Sequence, residues 1–209
     1  MSGMGGFAER ALIHENQLAK LPDGVPWPQA PLLGCGVITG AGAAINTAGV
    51  KPGDTVAVVG LGGVGLNVVN GARLAGAERI IGIDRQPAKF PLATKFGATD
   101  TVDSSVTDAA ATVRELTGGG VYLIGIWRPG TRLELDPLVD LLMQQKRVQG
   151  VMMGSTDIRH DIPMYARLYL DGRFDLDDLI SREIPLAGIN DAYTELEKGA
   201  IARSVITSF

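Results

Sequence analysis

Residues 56–69 read VAVVGLGGVGLNVV, and this stretch restricts the fold more than any other. A β-branched run ends on a glycine, the spacing Gly60-x-Gly62-x-x-Gly65 follows, and a helix-forming segment comes next. That is the pattern of a strand turning tightly into a helix. Each glycine has its own task. Gly60 permits the turn, Gly62 lets a pyrophosphate approach the backbone, and Gly65 lets the helix pack close to the strand. Leu61, Gly63 and Val64 complete the loop. The helix start offers free N–H groups and the positive end of its dipole to phosphate. Asp84 lies 19 residues beyond Gly65, at the end of the next apolar run, RIIGID. A carboxylate there would accept from the adenosine ribose hydroxyls. It favours NAD over NADP, because a 2′-phosphate would meet its charge, although Arg85 directly after it would partly offset this.

The rest of the chain alternates in the same way. Strands are expected at 55–60, 79–84, 99–103, 121–127, 147–154 and 204–207. Helices are expected at 32–50, 65–76, 88–97, 107–119, 136–146, 161–170 and 189–198. Residues 7–20 read as two short strands around a turn at 14–16. Residues 21–31 hold four prolines and read as an irregular crossing. Strands alternating with helices imply a parallel sheet covered on both faces, an α/β doubly wound fold of the Rossmann type. The 28 glycines and low aromatic content, 5%, suit tight strand-to-helix turns and buried parallel strands.

A net charge of −4 supplies no basic field, so nucleic acid is not expected as a partner. The one cysteine, Cys35, excludes an intrachain disulfide. The start of the chain lacks the pattern of a signal peptide, and no apolar run reaches about 18 residues. The expectation is a cytoplasmic protein with no membrane span. Cys35 taken alone is either a buried small hydrophobe or a ligand. His14 and His160 each stand beside an acid without a wider constellation, and Asp175–Asp178, DLDD, suits a helix start with dipole-compensating carboxylates. Met152 and Met153 read as strand core or a subunit interface.

Three segments carry a resemblance. They are FAERALIHEN, the long run LLGCGVITGAGAAINTAGVKPGDTVAVVGLGGVGLNVVNGARLAGAERIIGIDRQPAKFPLATKFGATD, and the tail IPLAGINDAYTELEKGAIARSVITSF. In order, they resemble the zinc-dependent alcohol dehydrogenases of the medium-chain dehydrogenase/reductase superfamily, the glutathione-dependent (class III) branch more than the quinone reductases. The resemblance implies that Cys35 takes the place of a catalytic zinc ligand and that Thr39 and Val64 touch the nicotinamide. It implies that Asp84 and Lys89 hold the adenosine ribose. Ile124, Gly125 and Ile126, with Val151 and Met153, would line the carboxamide, and Arg203 would stand near the pyrophosphate.

It also implies two departures. The chain begins near the end of the family's GroES-like catalytic domain, so one zinc ligand remains where three are needed and no catalytic set is complete. Between TGGGV and YLIGI, roughly thirty residues of the family pattern are missing, one strand and its helix. In the order 3-2-1-4-5-6 this is strand 4, and VYLIGI is expected to pair with TVAVV in its place. The implied organisation is a catalytic-domain remnant at 1–31, an NAD-binding domain at 32–175 with a strand–helix unit missing near 121–122, and a returning segment at 176–209. The implied activity is hydride transfer between an alcohol or aldehyde and NAD, assisted by zinc in full-length relatives, with this chain itself not expected to turn over. The alternative is a non-catalytic dinucleotide-binding module, or a partner of a full-length homologue. A homo-oligomer through the sheet edge at 148–153 is expected.

Overall fold

Gly49, at φ +63°, stops the first long helix, and from there the chain runs through alternating strands and helices. The computed structural model describes residues 6–107, 121–124, 130–132, 134, 136–143, 146–199 and 202–209. All but the first residue of the helix expected at 107–119, and the residues Gly125 and Ile126, lie outside them. Helix α1 covers Ala30–Ala48. Next come β1 (Thr55–Val59), α2 (Gly63–Leu74), β2 (Arg79–Asp84), α3 (Phe90–Phe96) and β3 (Asp100–Asp103). β4 (Val121–Ile124), β5 (Val148–Val151), α4 (Ile158–Leu170), β6 (Ile180–Pro185), α5 (Ile189–Glu197) and β7 (Arg203–Ser208) complete the set.

The chain divides into two compact units, Met1–Ile38 with Asp157–Phe209, and Thr39–Thr156. These boundaries differ from the expected 31/32 and 175/176. The reason lies in packing: α4 sits on Leu33–Val37 and so joins the tail rather than the nucleotide domain.

In the Thr39–Thr156 unit, β1, β2 and β3 form a parallel sheet in that order. β2 is central and buried along nearly its whole length, with Ile81 and Ile83 fully enclosed. Pairing on both edges and packing on both faces account for that burial. α2 packs against residues 39–48 with almost no space between backbones. A Cβ on Gly71 would lie 2.7 Å from the Ala41 Cα, and one on Gly40 2.9 Å from the Val68 nitrogen. α3 starts with Pro91 in its first turn, where a missing N–H costs nothing, and ends at Gly97 with φ +119°.

Among the described residues the pairing expected of VYLIGI is not found: β4 pairs with β5, in a separate parallel sheet of two strands, and β1 pairs with β2. The expected penalty for an unpaired β1 edge assumed a buried edge. Val59 is 80% exposed and Thr55–Ala57 are half-buried, so water can satisfy those groups. β4 is instead tied to its surroundings by the Tyr122 hydroxyl, which donates to the Ala48 carbonyl at 3.4 Å and accepts from Arg147 Nε at 3.0 Å.

In the other unit, β6 and β7 are parallel neighbours joined through α5. β6 was not anticipated from the sequence. Residues 7–20, expected as two strands, contain one 3₁₀ turn at Glu15–Gln17 and no strand. No other strand pairs with them among the described residues, and the His14 ring accepts the Asn16 N–H at 3.1 Å to close a local turn. The core of this unit includes Leu33, Val37, Ile38, Tyr165, Phe174, Leu176 and Leu179. The Tyr165 and Phe174 rings lie 5.4 Å apart.

α1 corrects one expectation. Its 19 residues, at a mean hydropathy of 1.2, are long and apolar enough to cross a membrane. In the chain, 61% of that stretch is buried, the environment of a core helix.

Candidate dinucleotide site

The loop between β1 and α2 takes its shape from its glycines. Gly60 has φ +91°, a conformation that a side chain would strain. A Cβ on Gly65 would run into the Gly60 carbonyl oxygen, so only glycine lets the helix start this close to the strand end. Above Gly60 and Gly62 there is open space. Gly62 caps α2 without a side-chain hydrogen bond, and the first bond of the helix is from Leu66 N–H to the Gly62 carbonyl, 2.9 Å. The N–H groups of Gly63, Val64 and Gly65 therefore precede any helical acceptor. Open backbone, free donors and a helix dipole at one point suit an anionic ligand.

Asp84, at the end of β2, is 9% exposed and fastens this loop. Its Oδ2 accepts the Leu61 N–H at 2.7 Å and Lys89 Nζ at 3.1 Å. Its Oδ1 accepts the Gln86 N–H at 3.0 Å and Lys89 Nζ at 3.3 Å. Burial pushes the carboxyl up, but the bonds from Leu61, Lys89 and Gln86 outweigh it and hold the group below its ordinary range. The carboxylate is thus ionised and strongly engaged.

Beside it runs an open groove of about 540 Å³ lined by Val59, Gly60, Ile83, Asp84, Arg85, Gln86, Ser104 and Ser105. Ser104 and Ser105 were not anticipated as lining residues. They follow β3 in a turn built on Asp103, whose Oδ1 accepts from Ser105 N–H at 2.9 Å and Ser105 Oγ at 2.6 Å. An acid followed by two serines after a short strand is the signal that was available.

The residues expected on the nicotinamide side come together in part. Gly40 abuts the Val64 carbonyl and Asn67, which sets Thr39 beside the first turn of α2. Thr39 Oγ1 lies 3.7 Å from Met153 Sδ. Val151 is the register partner of Ile124. Met153 and Ser155 have φ +48° and +51°, with Gly154 between them at +68°. Two side-chain-bearing residues in the left-handed region mark local strain. The turn is held by Thr47 Oγ1 donating to Ser155 Oγ at 2.8 Å. Met152 and Met153 are exposed, 83% and 39%, because the strand ends at Val151; they are not strand core.

Arg203 and Cys35 belong to the other unit. The Arg203 guanidinium packs over Gly36, where a Cβ would lie 3.1 Å from Nη2. Cys35 is exposed, contrary to the buried small hydrophobe, since it faces outward from α1. Among the described residues no three His, Cys, Asp or Glu side chains gather as a metal site requires, so the donor set does not fit zinc. His160 Nδ1 lies 2.7 Å from the Asp161 carboxylate and has no further ligand-type neighbour among the described contacts.

Comparison with known proteins agrees with this geometry. Residues 63–124 match the family model described as zinc-binding dehydrogenase. Alcohol dehydrogenase-like 7 of Arabidopsis thaliana is 33% identical, aligned to 97% of this chain and 60% of its own length. Alcohol dehydrogenase B of Mycobacterium tuberculosis is 34% identical over 234 positions, covering 99% of this chain and 62% of the relative. That alignment is longer than the 209 residues of the chain, so at least 25 positions of the relative face no residue here. The crystal structure of benzyl alcohol dehydrogenase from Acinetobacter calcoaceticus superposes with a TM-score of 0.90 at 30% identity, over 95% of this chain and 62% of that one. The chain spans about three fifths of the length of the curated relatives it matches, and over that span it is similar to the zinc-binding dehydrogenases.

Proposed function

We propose that the Thr39–Thr156 unit binds NAD and that the chain is the dinucleotide-binding part of an alcohol dehydrogenase, a soluble cytoplasmic oxidoreductase acting between an alcohol or aldehyde and NAD. The observation that carries this reading is the buried Asp84 carboxylate bonded to the Leu61 N–H at 2.7 Å, under a helix start left uncapped and open. The residues divide the work. Gly62, Gly63, Val64 and Gly65 offer backbone donors to the pyrophosphate, while Asp84 and Lys89 meet the adenosine ribose. Val59, Ile83 and Arg85 border the adenine. Thr39, Val64, Ile124, Val151 and Met153 border the nicotinamide, which supplies hydride exchange when bound. Arg203 reads as an arginine for the pyrophosphate by resemblance alone.

NAD is favoured over NADP because Asp84 is ionised; Arg85, exposed beside it, is a cation that would favour a 2′-phosphate at that corner. A homo-oligomer through the edge at 148–153 is part of the same reading. The second reading, a binding module without turnover, is favoured by the donor set around Cys35, which offers zinc no second and third ligand among the described residues.

The test is calorimetric titration with AMP, NADH and NADPH, together with zinc analysis and NADH absorbance in the presence of ethanol and longer alcohols. The expected result is that AMP and NADH bind with similar affinity, NADPH binds more weakly, and no alcohol-dependent NADH forms. Bound zinc with alcohol-dependent NADH would eliminate the second reading. No binding of any adenosine ligand would eliminate both.

A further inference from the structure

Asp103 closes β3 directly opposite Asp84 at the end of β2, so the residues after it overhang the groove. The Ser104 N–H donates to the Asp84 carbonyl at 3.0 Å, which ties this turn to the neighbouring strand. Ser105 is exposed on the groove wall, and its donors are committed backwards: its N–H and its Oγ–H reach the same Asp103 oxygen, at 2.9 and 2.6 Å. A hydroxyl-to-carboxylate distance of 2.6 Å is that of a charge-assisted bond, about twice as strong as a neutral one. The proton therefore stays toward Asp103, and the Ser105 oxygen offers the groove lone pairs only. The sheet order β1-β2-β3 also orders a nucleotide laid across the strand ends. Phosphate belongs at the glycine loop after β1 and ribose at Asp84 after β2, and the next place along is the Ser104–Ser105 turn after β3. Strands are spaced by about 4.8 Å, so the turn stands about 10 Å from the glycine loop, the reach of a base from its 5′-phosphate.

We infer that Ser105 selects the base: its oxygen accepts from a 6-amino group, so the groove takes adenine and discriminates against purines that carry a 6-keto group. This rests on the proposed nucleotide binding and adds a specificity-determining residue to it. Adenine presents an N6 amino donor where a 6-keto purine presents an O6 acceptor. An O6 atom facing the Ser105 lone pairs is left unpaired unless the hydroxyl turns and gives up its bond to Asp103. The carboxylates of Asp84 and Asp103, on the ends of adjacent strands, give that end of the groove the same preference for a donor. Arg85 is the opposing group on the groove wall, since a guanidinium only donates. It is exposed, and its flat face suits stacking on the base rather than reading its edge.

The test titrates the intact chain with AMP and with IMP by isothermal calorimetry, and repeats both titrations with Ser105→Ala and Ser105→Thr. The expected result is AMP binding about fivefold or more tighter than IMP, the scale of one hydrogen bond. Ser105→Ala is expected to lower AMP affinity and bring the two ligands within about twofold of each other, and Ser105→Thr, which keeps the hydroxyl, to restore the preference. A merely structural role for the turn would weaken both ligands together and keep their ratio. Purine riboside 5′-monophosphate, with neither an amino nor a keto group at position 6, is expected to bind the unaltered chain and Ser105→Ala equally. Equal affinity of the unaltered chain for AMP and IMP would overturn the inference and leave the proposed function standing. So would an AMP preference retained in Ser105→Ala. Binding of neither nucleotide would overturn the inference and the proposed function together.

Discussion

The two sheets of the Thr39–Thr156 unit are built from similar apolar runs and sit in opposite surroundings. β2, RIIGID, is enclosed from Ile80 to Asp84, whereas β5, VQGV, is at best half-buried. β2 has a parallel neighbour on each side and α2 and α3 close to it, whereas β5 has one neighbour among the described residues. Burial here is a property of neighbours rather than of the run itself. The ligand-facing loop hangs from the enclosed sheet, so its geometry is fixed by packing. Of the pieces expected beside the nicotinamide, Ile124 and Val151 hang from the exposed sheet and Met153 from a strained turn.

The largest expected separation between the two sheets comes from their glycines. Gly65→Ala would drive a methyl group into the Gly60 carbonyl and is expected to destabilise the unit by about 3 kcal/mol or more, with loss of AMP binding. Urea denaturation and calorimetry measure both effects. Gly150→Ala in β5 meets open space and is expected to change stability by less than about 0.5 kcal/mol. Equal costs at the two positions would erase the contrast.

Truncating side chains should give the next largest difference. Ile83→Ala, at a fully enclosed position, is expected to cost about 2–5 kcal/mol. Val151→Ala, half-buried, should cost under about 1 kcal/mol by the same denaturation assay.

A smaller effect is expected at the sheet end. Asp84→Asn removes the charge facing Lys89 and weakens the bonds that shape the loop. AMP affinity should fall about tenfold, with about 1–3 kcal/mol of stability lost. Retained AMP affinity in this variant would mean that the loop keeps its form without the carboxylate.

The smallest effect is the response to acid. Asp84 is held below its ordinary range, and the Arg79 guanidinium, 2.9 Å from Asp100, holds that carboxyl at about 2. Both folded values are depressed, so their stabilisation is complete above the unfolded carboxylate range near about 4 and is lost as pH falls through the folded values. Arg79 and Asp100 are more than a third exposed, so solvent screening keeps their share small. Urea midpoints between pH 2 and 6 should fall with acid, and Arg79→Gln should flatten part of that slope.

The run from β1 through α2 to β2 was legible because glycine spacing, apolar periodicity and the acid after the second strand all demand the same turn. α2 begins two residues earlier than expected, at Gly63, since backbone geometry rather than side-chain pattern sets a helix start. β6 was not legible: ISREIP has apolar residues only toward its ends, with Ser181, Arg182 and Glu183 between them. The neighbour of VYLI was not legible either, because apolar composition says that a strand wants partners without saying which. The clasp on the Leu61 N–H was equally hidden. A carboxylate after a strand advertises ribose binding, and nothing in the sequence says that the same group will also tether the preceding loop.

That double duty has a further consequence. Four donor contacts already fill the acceptor directions of the Asp84 carboxylate. An arriving sugar hydroxyl can enter only by exchange, and the ammonium of Lys89 is the mobile member, because the two backbone donors are fixed by the fold. Sugar recognition at this corner is therefore a swap of partners in which a lysine steps aside and is free to meet the newcomer.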